Sequence, residues 1–286
     1  MAAERQPAAR PSQAALLKAH GIRPVKRRGQ NFLVDGNLAR AIALDTLALG
    51  DHVLELGAGG GALTTPLLDG GAVVTAVEID RHLCALLRAE HGQAPGFRLV
   101  EGDLARLDWA AEVAAAGPRP VVAGNLPYVL TSTVLFALAE LHDRVAGGVF
   151  MVQREVAERI TAVPGGRDYG VLALVLGAVF APEIVRMVPA TVFWPQPEVA
   201  SAIVRLVPRT PWPARELAVF TATVKTLFGQ RRKKLATQLR KHYDLDAAAV
   251  ARTAAEAGVD PELRPEQLDP ASWRRLAAVL SPKEGA

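Results

Sequence analysis

His52-Val53-Leu54-Glu55-Leu56-Gly57-Ala58-Gly59-Gly60-Gly61 is the stretch that decides the fold. A short strand-forming run ends in a glycine-rich turn, and apolar spacing over residues 62–68 predicts a helix beyond it. Strand, tight turn and helix in that order open a βαβ unit. Glycines at such a turn let the backbone come close to a ligand, and a helix starting there favours an anionic group such as a carboxylate. Nicotinamide, flavin and S-adenosylmethionine binders all share the turn, so the rest of the chain has to choose between them.

Working outward, apolar runs at 73–79, 97–100, 120–123 and 149–152 read as further buried strands. Helical patterns at 81–90, 104–115 and 131–141 separate them. Alternation of this kind makes a mostly parallel, Rossmann-like α/β sheet. Residues 153–161 and 169–180 read as helices, and 183–188 and 201–207 as two more strands flanking the proline-rich segment 189–197. One short connection allows those two strands to form an antiparallel hairpin at the sheet edge. After Pro208, Pro211 and Pro213 the pattern changes to amphipathic helices at 216–228, 231–242, 246–257 and 272–280. The expected division is a basic N-terminal extension (1–30), a Rossmann-like domain (31–208) and a small all-helical domain (209–286).

Composition narrows the function classes. No apolar run among the 286 residues approaches the roughly 18 needed to span a membrane, and no signal-peptide pattern opens the chain. Cys84 is the only cysteine, which excludes a disulfide framework or a cysteine zinc site within one chain. Net charge is only +4 but unevenly placed. Arg5, Arg10, Lys18, Arg23, Lys26, Arg27 and Arg28 occur with no acid among them, as do Lys225, Arg231, Arg232, Lys233, Lys234, Arg240 and Lys241. Two such stretches suggest a polyanion gripped from two sides. A solvated charged face is the plainer alternative for either, and an organelle transit peptide for the first.

Glu78 lies 21 residues after Gly57, at the end of the second strand, where a carboxylate can accept both hydroxyls of a ribose. Asp103, after the third strand, can accept from an adenine amine while Leu104 packs on the ring, or it can cap a helix starting at Leu104. With Gly57 and Gly59, this array is typical of S-adenosylmethionine sites. Gly124-Asn125-Leu126-Pro127-Tyr128 follows the fourth strand. The Asn125 carbonyl and a backbone carbonyl near Leu126 can take the two N–H groups of an exocyclic amine and favour a more reactive nitrogen. Pro127 stiffens the loop and Tyr128 offers a face for a base. An Asn-x-Pro turn with no chemistry is the alternative for this segment alone.

These motifs, together with Gly29-Gln-Asn31-Phe-Leu33, Val77-Glu78-Ile-Asp80, Val192-Phe193-Trp-Pro195-Gln-Pro197 and Phe228-Gly-Gln230-Arg231-Arg232-Lys233, resemble the ribosomal RNA adenine dimethyltransferases. Within them the resemblance is to the small-subunit branch, across about residues 26–241. It implies an S-adenosylmethionine-dependent enzyme that makes two adjacent N6,N6-dimethyladenosines near the 3′ end of 16S rRNA. The implied cofactor contacts are Asn31, Leu33, Gly57, Glu78, Asp103 and Asn125, and Phe193 is implied to hold the target adenine with Tyr128. Arg231, Arg232, Lys233 and Lys234 are expected to meet RNA in the 30S subunit or its precursor. A cytoplasmic monomer without metal or membrane contact is expected. Thr133, Glu198 and Ala200 depart from common family residues.

Several of these residues have plainer readings. Asn31 and Leu33 also fit a helix start capped by Asp35, Phe193 also fits a core position, and Phe150, Met151 and Phe180 read as core. Three rivals to the whole reading are a 23S rRNA methyltransferase, a nucleic-acid-binding factor that has lost catalysis, and a nicotinamide oxidoreductase.

Overall fold

The computed structural model describes residues 11–25 and 30–281. One seven-stranded sheet is built from β2 (His52–Leu56), β3 (Val73–Glu78), β4 (Phe97–Glu101), β5 (Val121–Asn125), β6 (Gly147–Gln153), β7 (Phe180–Val188) and β9 (Ser201–Pro208), in the order β4-β3-β2-β5-β6-β9-β7. The pairings from β4 across to β6 are parallel, and β9 runs antiparallel to both β6 and β7. The expected antiparallel pair therefore forms. Its second strand lies inside the sheet, with β7 at the edge.

Both faces are covered, and the two-residue strand period shows it. Leu54, Leu56, Val122, Phe150 and Val152 join one apolar cluster, while Val53, Ala123, Val149 and Met151 join the other. Helices α2 (Gly36–Leu47), α3 (Thr64–Asp69) and α4 (Arg81–His91) supply side chains to the second cluster. Helices α5 (Trp109–Ala115), α6 (Thr131–Glu140), α7 (Arg154–Ile160) and α8 (Val171–Val179) supply the first. Asp35 caps α2, its Oδ1 accepting from Asn37 and Leu38 N–H at 2.9 Å each, and Asp80 caps α4.

Beyond the connection 209–213 come α9 (Ala214–Phe228), α10 (Leu235–Tyr243), α11 (Ala247–Ala257) and α12 (Pro270–Leu280). Their buried Phe220, Val224, Trp273 and Leu276 belong to the same continuous cluster as Phe150 and Val175. This explains why α8 is apolar all round: it packs against α6 on one side and α9 on the other. The joint is further pinned at Trp212, whose N–H donates to Nε2 of buried His142 (3.1 Å) and whose ring meets Phe220 and the Arg274 guanidinium.

Helix starts differ from the sequence reading by two residues at α3, α8, α9 and α12 and by more at α5 and α10. Helix α3 begins at Thr64, α5 at Trp109 and α10 at Leu235. For α5 the reason is a competing cap: Asp108 accepts from Ala111 N–H (3.0 Å). Asp103 instead closes a local turn on Ala105 N–H (2.9 Å) and does not cap the helix.

Gly124 sits where the strand order reverses, between β2 and β5. A Cβ there would lie 2.4 Å from the Leu56 carbonyl oxygen, a backbone atom that cannot step aside. Gly124→Ala is expected to cost roughly 1–3 kcal/mol through overpacking, read as a thermal midpoint lowered by several degrees. An unchanged midpoint would show that the sheet relaxes at this point.

Candidate active site

The glycine loop leaves β2 and the Asn125 loop leaves β5, so both emerge at the C-terminal edge of adjacent parallel strands. That is the crevice where open α/β sheets bind ligands. A cavity of about 370 Å³ opens there, within the range of small-molecule sites. Asn31, Leu33, Gly57, Gly59, Glu78, Asp103, Leu104, Asn125, Leu126, Pro127 and Tyr128 all line it.

The glycine loop is satisfied from within. Gly57 and Ala58 N–H both donate to the Val77 carbonyl (2.9 and 3.1 Å), Gly59 N–H to Glu78 Oε2 (2.8 Å), and Gly61 N–H to the Ala58 carbonyl (3.0 Å). Its contribution is therefore steric more than anion-binding. Gly57, Gly59 and Gly61 hold positive φ; Gly57 and Gly59 line the cavity floor without side chains, while a Cβ on Gly61 would press on His91 and Leu87. Gly60 is covered from outside by α1 (Gln13–Ala19). Gln13 Nε2 donates to the Gly60 carbonyl (2.6 Å), and Leu17 is fully buried with Phe32, Leu83 and Leu86. A Cβ on Gly60 would meet both of those side chains.

Glu78 Oε1 accepts from Ile79 and Asp80 N–H at 2.9 Å each, so with Gly59 three of its roughly four acceptor positions are filled. The remaining one is on Oε2. Burial raises the Glu78 carboxyl above its ordinary value, and the three backbone donors oppose that shift. Beneath it, Glu55 accepts from Thr64 Oγ1 (2.6 Å). Burial pushes the Glu55 carboxyl up to about 8, with the Thr64 bond lowering it and nearby Glu78 raising it further. Glu55 is accordingly mostly protonated at neutral pH, which spares the site a second buried negative charge. Asp103 keeps Oδ2 free of hydrogen bonds among the described residues.

The loop after β5 is held at both ends. Asn125 Nδ2 donates to the Asn31 carbonyl (3.0 Å), and Leu126 N–H to the Met151 carbonyl (3.2 Å). The Pro127 carbonyl takes Leu130 N–H (2.9 Å) and Thr131 Oγ1 (3.3 Å). The Asn31 bond takes one of the two N–H groups of the Asn125 amide and fixes its orientation, leaving Oδ1 and the second N–H for a ligand. Among the described residues no backbone N–H takes the Leu126 carbonyl. The result is a pair of acceptors beside the half-buried ring of Tyr128.

Phe193 is not brought to this cavity. It belongs to β8 (Phe193–Trp194), which pairs antiparallel with β1 (Phe32–Leu33) in the register Leu33↔Phe193, and it is 3% exposed in the same cluster as Met151. Residues 231–234 do not line it either and form the turn before α10. Arg231 is tied inward, to Glu266 (2.7 Å) and the Arg167 carbonyl (2.9 Å), and Lys234 pairs with Glu262. Arg232 and Lys233 are exposed and carry no ion pair among the described residues. Of the first basic stretch, Arg5, Arg10, Lys26, Arg27 and Arg28 lie outside the described residues. Among those described, no group of His, Cys, Asp and Glu is placed to hold a metal, and no helix is long and apolar enough to cross a membrane.

Gln13, Gln30, Glu55, Ile79, Val129 and Met151 also line the cavity and had no site role in the sequence reading. Glu55 stood inside the decisive motif. Met151 is buried.

A model of the ribosomal RNA adenine dimethylase family matches residues 23–281. The chain belongs to that family. Ribosomal RNA small subunit methyltransferase A of Anaeromyxobacter sp. (strain K) is 45% identical over 280 residues, covering 94% of this chain and 98% of the relative. The protein of that name from Myxococcus xanthus (strain DK1622) is 43% identical, covering 93% and 94%. Among solved structures, the 23S rRNA methyltransferase ErmE superposes with a TM-score of 0.64 at 27% identity, covering 88% of this chain and 100% of its own. A dimethyladenosine transferase from Plasmodium falciparum gives 0.64 at 22% identity, covering 83% and 93%, a likeness of fold.

The enzyme is thus an S-adenosylmethionine-dependent rRNA adenine dimethyltransferase. The cavity fits that cofactor chemically: it has a side-chain-free glycine floor, a carboxylate with one acceptor position left, and a second carboxylate with a free oxygen.

Glu55 gives a pH test. Its folded value of about 8 exceeds the ordinary carboxyl value near 4.3, so folding takes up a proton. The associated stability is complete below roughly pH 4.3 and is lost as pH rises toward about 8. Urea unfolding of Glu55→Gln against wild type between pH 5.5 and 8.5 should show the wild type losing stability faster, by up to about 1.4 kcal/mol per pH unit. Parallel curves would mean that Glu55 stays ionised.

Proposed function

We propose that the substrate is small-subunit rRNA, 16S rRNA within the 30S subunit or its precursor in the cytoplasm, and that a single copy of the chain dimethylates N6 of adenosine there. The observation that carries this reading is the fixed amide of Asn125, presenting Oδ1 beside the Leu126 carbonyl and the Tyr128 ring at the mouth of the cavity. Kinship to small-subunit methyltransferases over more than nine-tenths of the chain supports the choice of subunit.

When bound, S-adenosylmethionine supplies an electrophilic methyl group. Glu78 Oε2 would hold the ribose edge, Asp103 Oδ2 the adenine amine, and Leu33 and Leu104 the apolar faces. On the substrate side, Asn125 Oδ1 and the Leu126 carbonyl accept the two N6 hydrogens, which draws the lone pair out of conjugation and toward the cavity. Tyr128 stacks on the extruded base. Asn125 is no base, so the proton leaves the cationic amine for solvent after transfer. Catalysis is positioning and electrostatic preorganisation. Phe193 is buried beside Leu33 and Met151 and does not line the cavity, so Tyr128 is assigned the stacking role first.

Residues 31–208 are assigned to methyl transfer and 209–286 to the RNA grip. Within the latter, Arg232 and Lys233 are the phosphate ligands, while Arg231 braces the turn that carries them.

Asn125→Ala should lower kcat by roughly 100- to 1000-fold, with the thermal midpoint within a few degrees of wild type; activity near wild type would remove Asn125 from the mechanism. Incubation with undermodified 30S and 50S particles, followed by mass-spectrometric mapping, should find dimethyladenosine in the 30S rRNA alone, and modification of the 50S particle would transfer the assignment to 23S rRNA. Replacing Arg232 and Lys233 together by Ala should reduce the slope of log affinity against log salt by roughly two. An unchanged slope would place the RNA grip elsewhere.

A further inference from the structure

We propose that Val129 is a substrate-contacting residue: its side chain packs against the base adjoining the target adenosine and occupies the space the target leaves when extruded. This rests on the adenosine-extruding reading above.

Val129 is 85% exposed, the most exposed large hydrophobic residue among those described. Within 125–130 it is the one residue that is exposed; its neighbours are buried or half-buried. It follows Tyr128 directly and lines the cavity mouth. A single exposed apolar side chain is ordinary on a protein surface. This one differs in lining the cavity, on a loop whose neighbouring carbonyl is doubly hydrogen-bonded. The Pro127 carbonyl is clamped by Leu130 N–H and Thr131 Oγ1, and Thr131 itself is buried. In this loop conformation the Val129 side chain stands clear of the protein.

The chemistry of the side chain selects its contact. A phosphate would call for a cation or a hydrogen-bond donor, and an isopropyl group has neither. The flat face of a nucleobase is apolar enough to be covered by it, and apolar wedges placed at unstacked steps are a general device of nucleic-acid-bending proteins. The β-branched side chain has little χ1 freedom to lose on contact. Tyr128 and Val129 are consecutive, so one face of the loop receives the extruded base while the next residue props the gap it came from. Nothing in the hydrogen bonding of the cofactor side depends on Val129.

The test is steady-state methylation of undermodified 30S particles by Val129→Ala, Val129→Thr and Val129→Ile, with cofactor affinity and thermal midpoint measured on each. Threonine keeps the shape and adds a hydroxyl; isoleucine keeps the apolar surface. Val129→Ala and Val129→Thr should each lose about tenfold in kcat/KM for the particle, equivalent to roughly 1.4 kcal/mol. Val129→Ile should stay within about twofold, and cofactor affinity and midpoint should not move. Wild-type kcat/KM in the Ala and Thr variants would overturn the proposal, as would a loss that comes with weaker cofactor binding. If the wild-type enzyme leaves the 30S particle unmethylated, it is the substrate assignment that fails.

Discussion

One hydrogen bond sets the polarity of the site. Asn125 donates its amide NH₂ to the Asn31 carbonyl, and this commits the other end of the amide to accepting. Had the amide been free to flip, half its orientations would present donors to an amine that is itself a donor. The bond in turn depends on where residue 31 is held. Phe32 and Leu33 pair with Trp194 and Phe193, Val34 N–H donates to the Val192 carbonyl (2.9 Å), and the Phe32 and Trp194 rings stack 6.3 Å apart. A segment before the main sheet and another late in the chain thus combine to aim a side chain at the end of β5. Such preorganisation is the main way a site without acid–base groups stabilises developing charge.

The cofactor side obeys a related economy. Two carboxylates, Glu55 and Glu78, lie close together in a buried setting, which is tolerable because Glu55 holds a proton and Glu78 is surrounded by backbone N–H groups. Those same donors come from the glycine loop and the start of α4, so Glu78 fixes the shape of the floor before any ligand arrives. The loop glycines supply absence of bulk, and the N–H groups of Gly57, Gly59 and Gly61 are spent on structure. On the far side, the helical unit shares its core with α6 and α8, which fixes the turn carrying Arg232 and Lys233 to the helices that cover the sheet. Arg231, bridging Glu266 and the Arg167 carbonyl, does for that turn what Asn31 does for Asn125.

Much of this was legible in the sequence because it is local. Short continuous apolar runs alternating with helical patterns marked the strands of the sheet, and the glycine turn, Glu78, Asp103 and Asn125 each stand at or just after a strand end, where the topology had to gather them. The illegible parts are non-local or depend on a choice between near-equal local signals. Two-residue strands such as β1 and β8 carry no periodicity, so the pairing that buries Phe193 left no trace in the sequence. Asp103 and Asp108 are both good caps, and only packing of Trp109 onward decides for the second. The helix at Gln13–Ala19 has a Ser12 cap and a Gly21 stop, signals that a basic composition obscured. The proton on Glu55 follows from complete burial, a property of the folded state alone.

The central claim is that the Asn125 amide is locked with its oxygen toward the substrate. A crystal structure of the enzyme with S-adenosylhomocysteine and an RNA carrying the target adenosine tests it most directly. Asn125 Oδ1 is expected at about 3 Å from the adenine N6, with Nδ2 still on the Asn31 carbonyl. An amide released from Asn31, or turned so that its nitrogen faces N6, would contradict it.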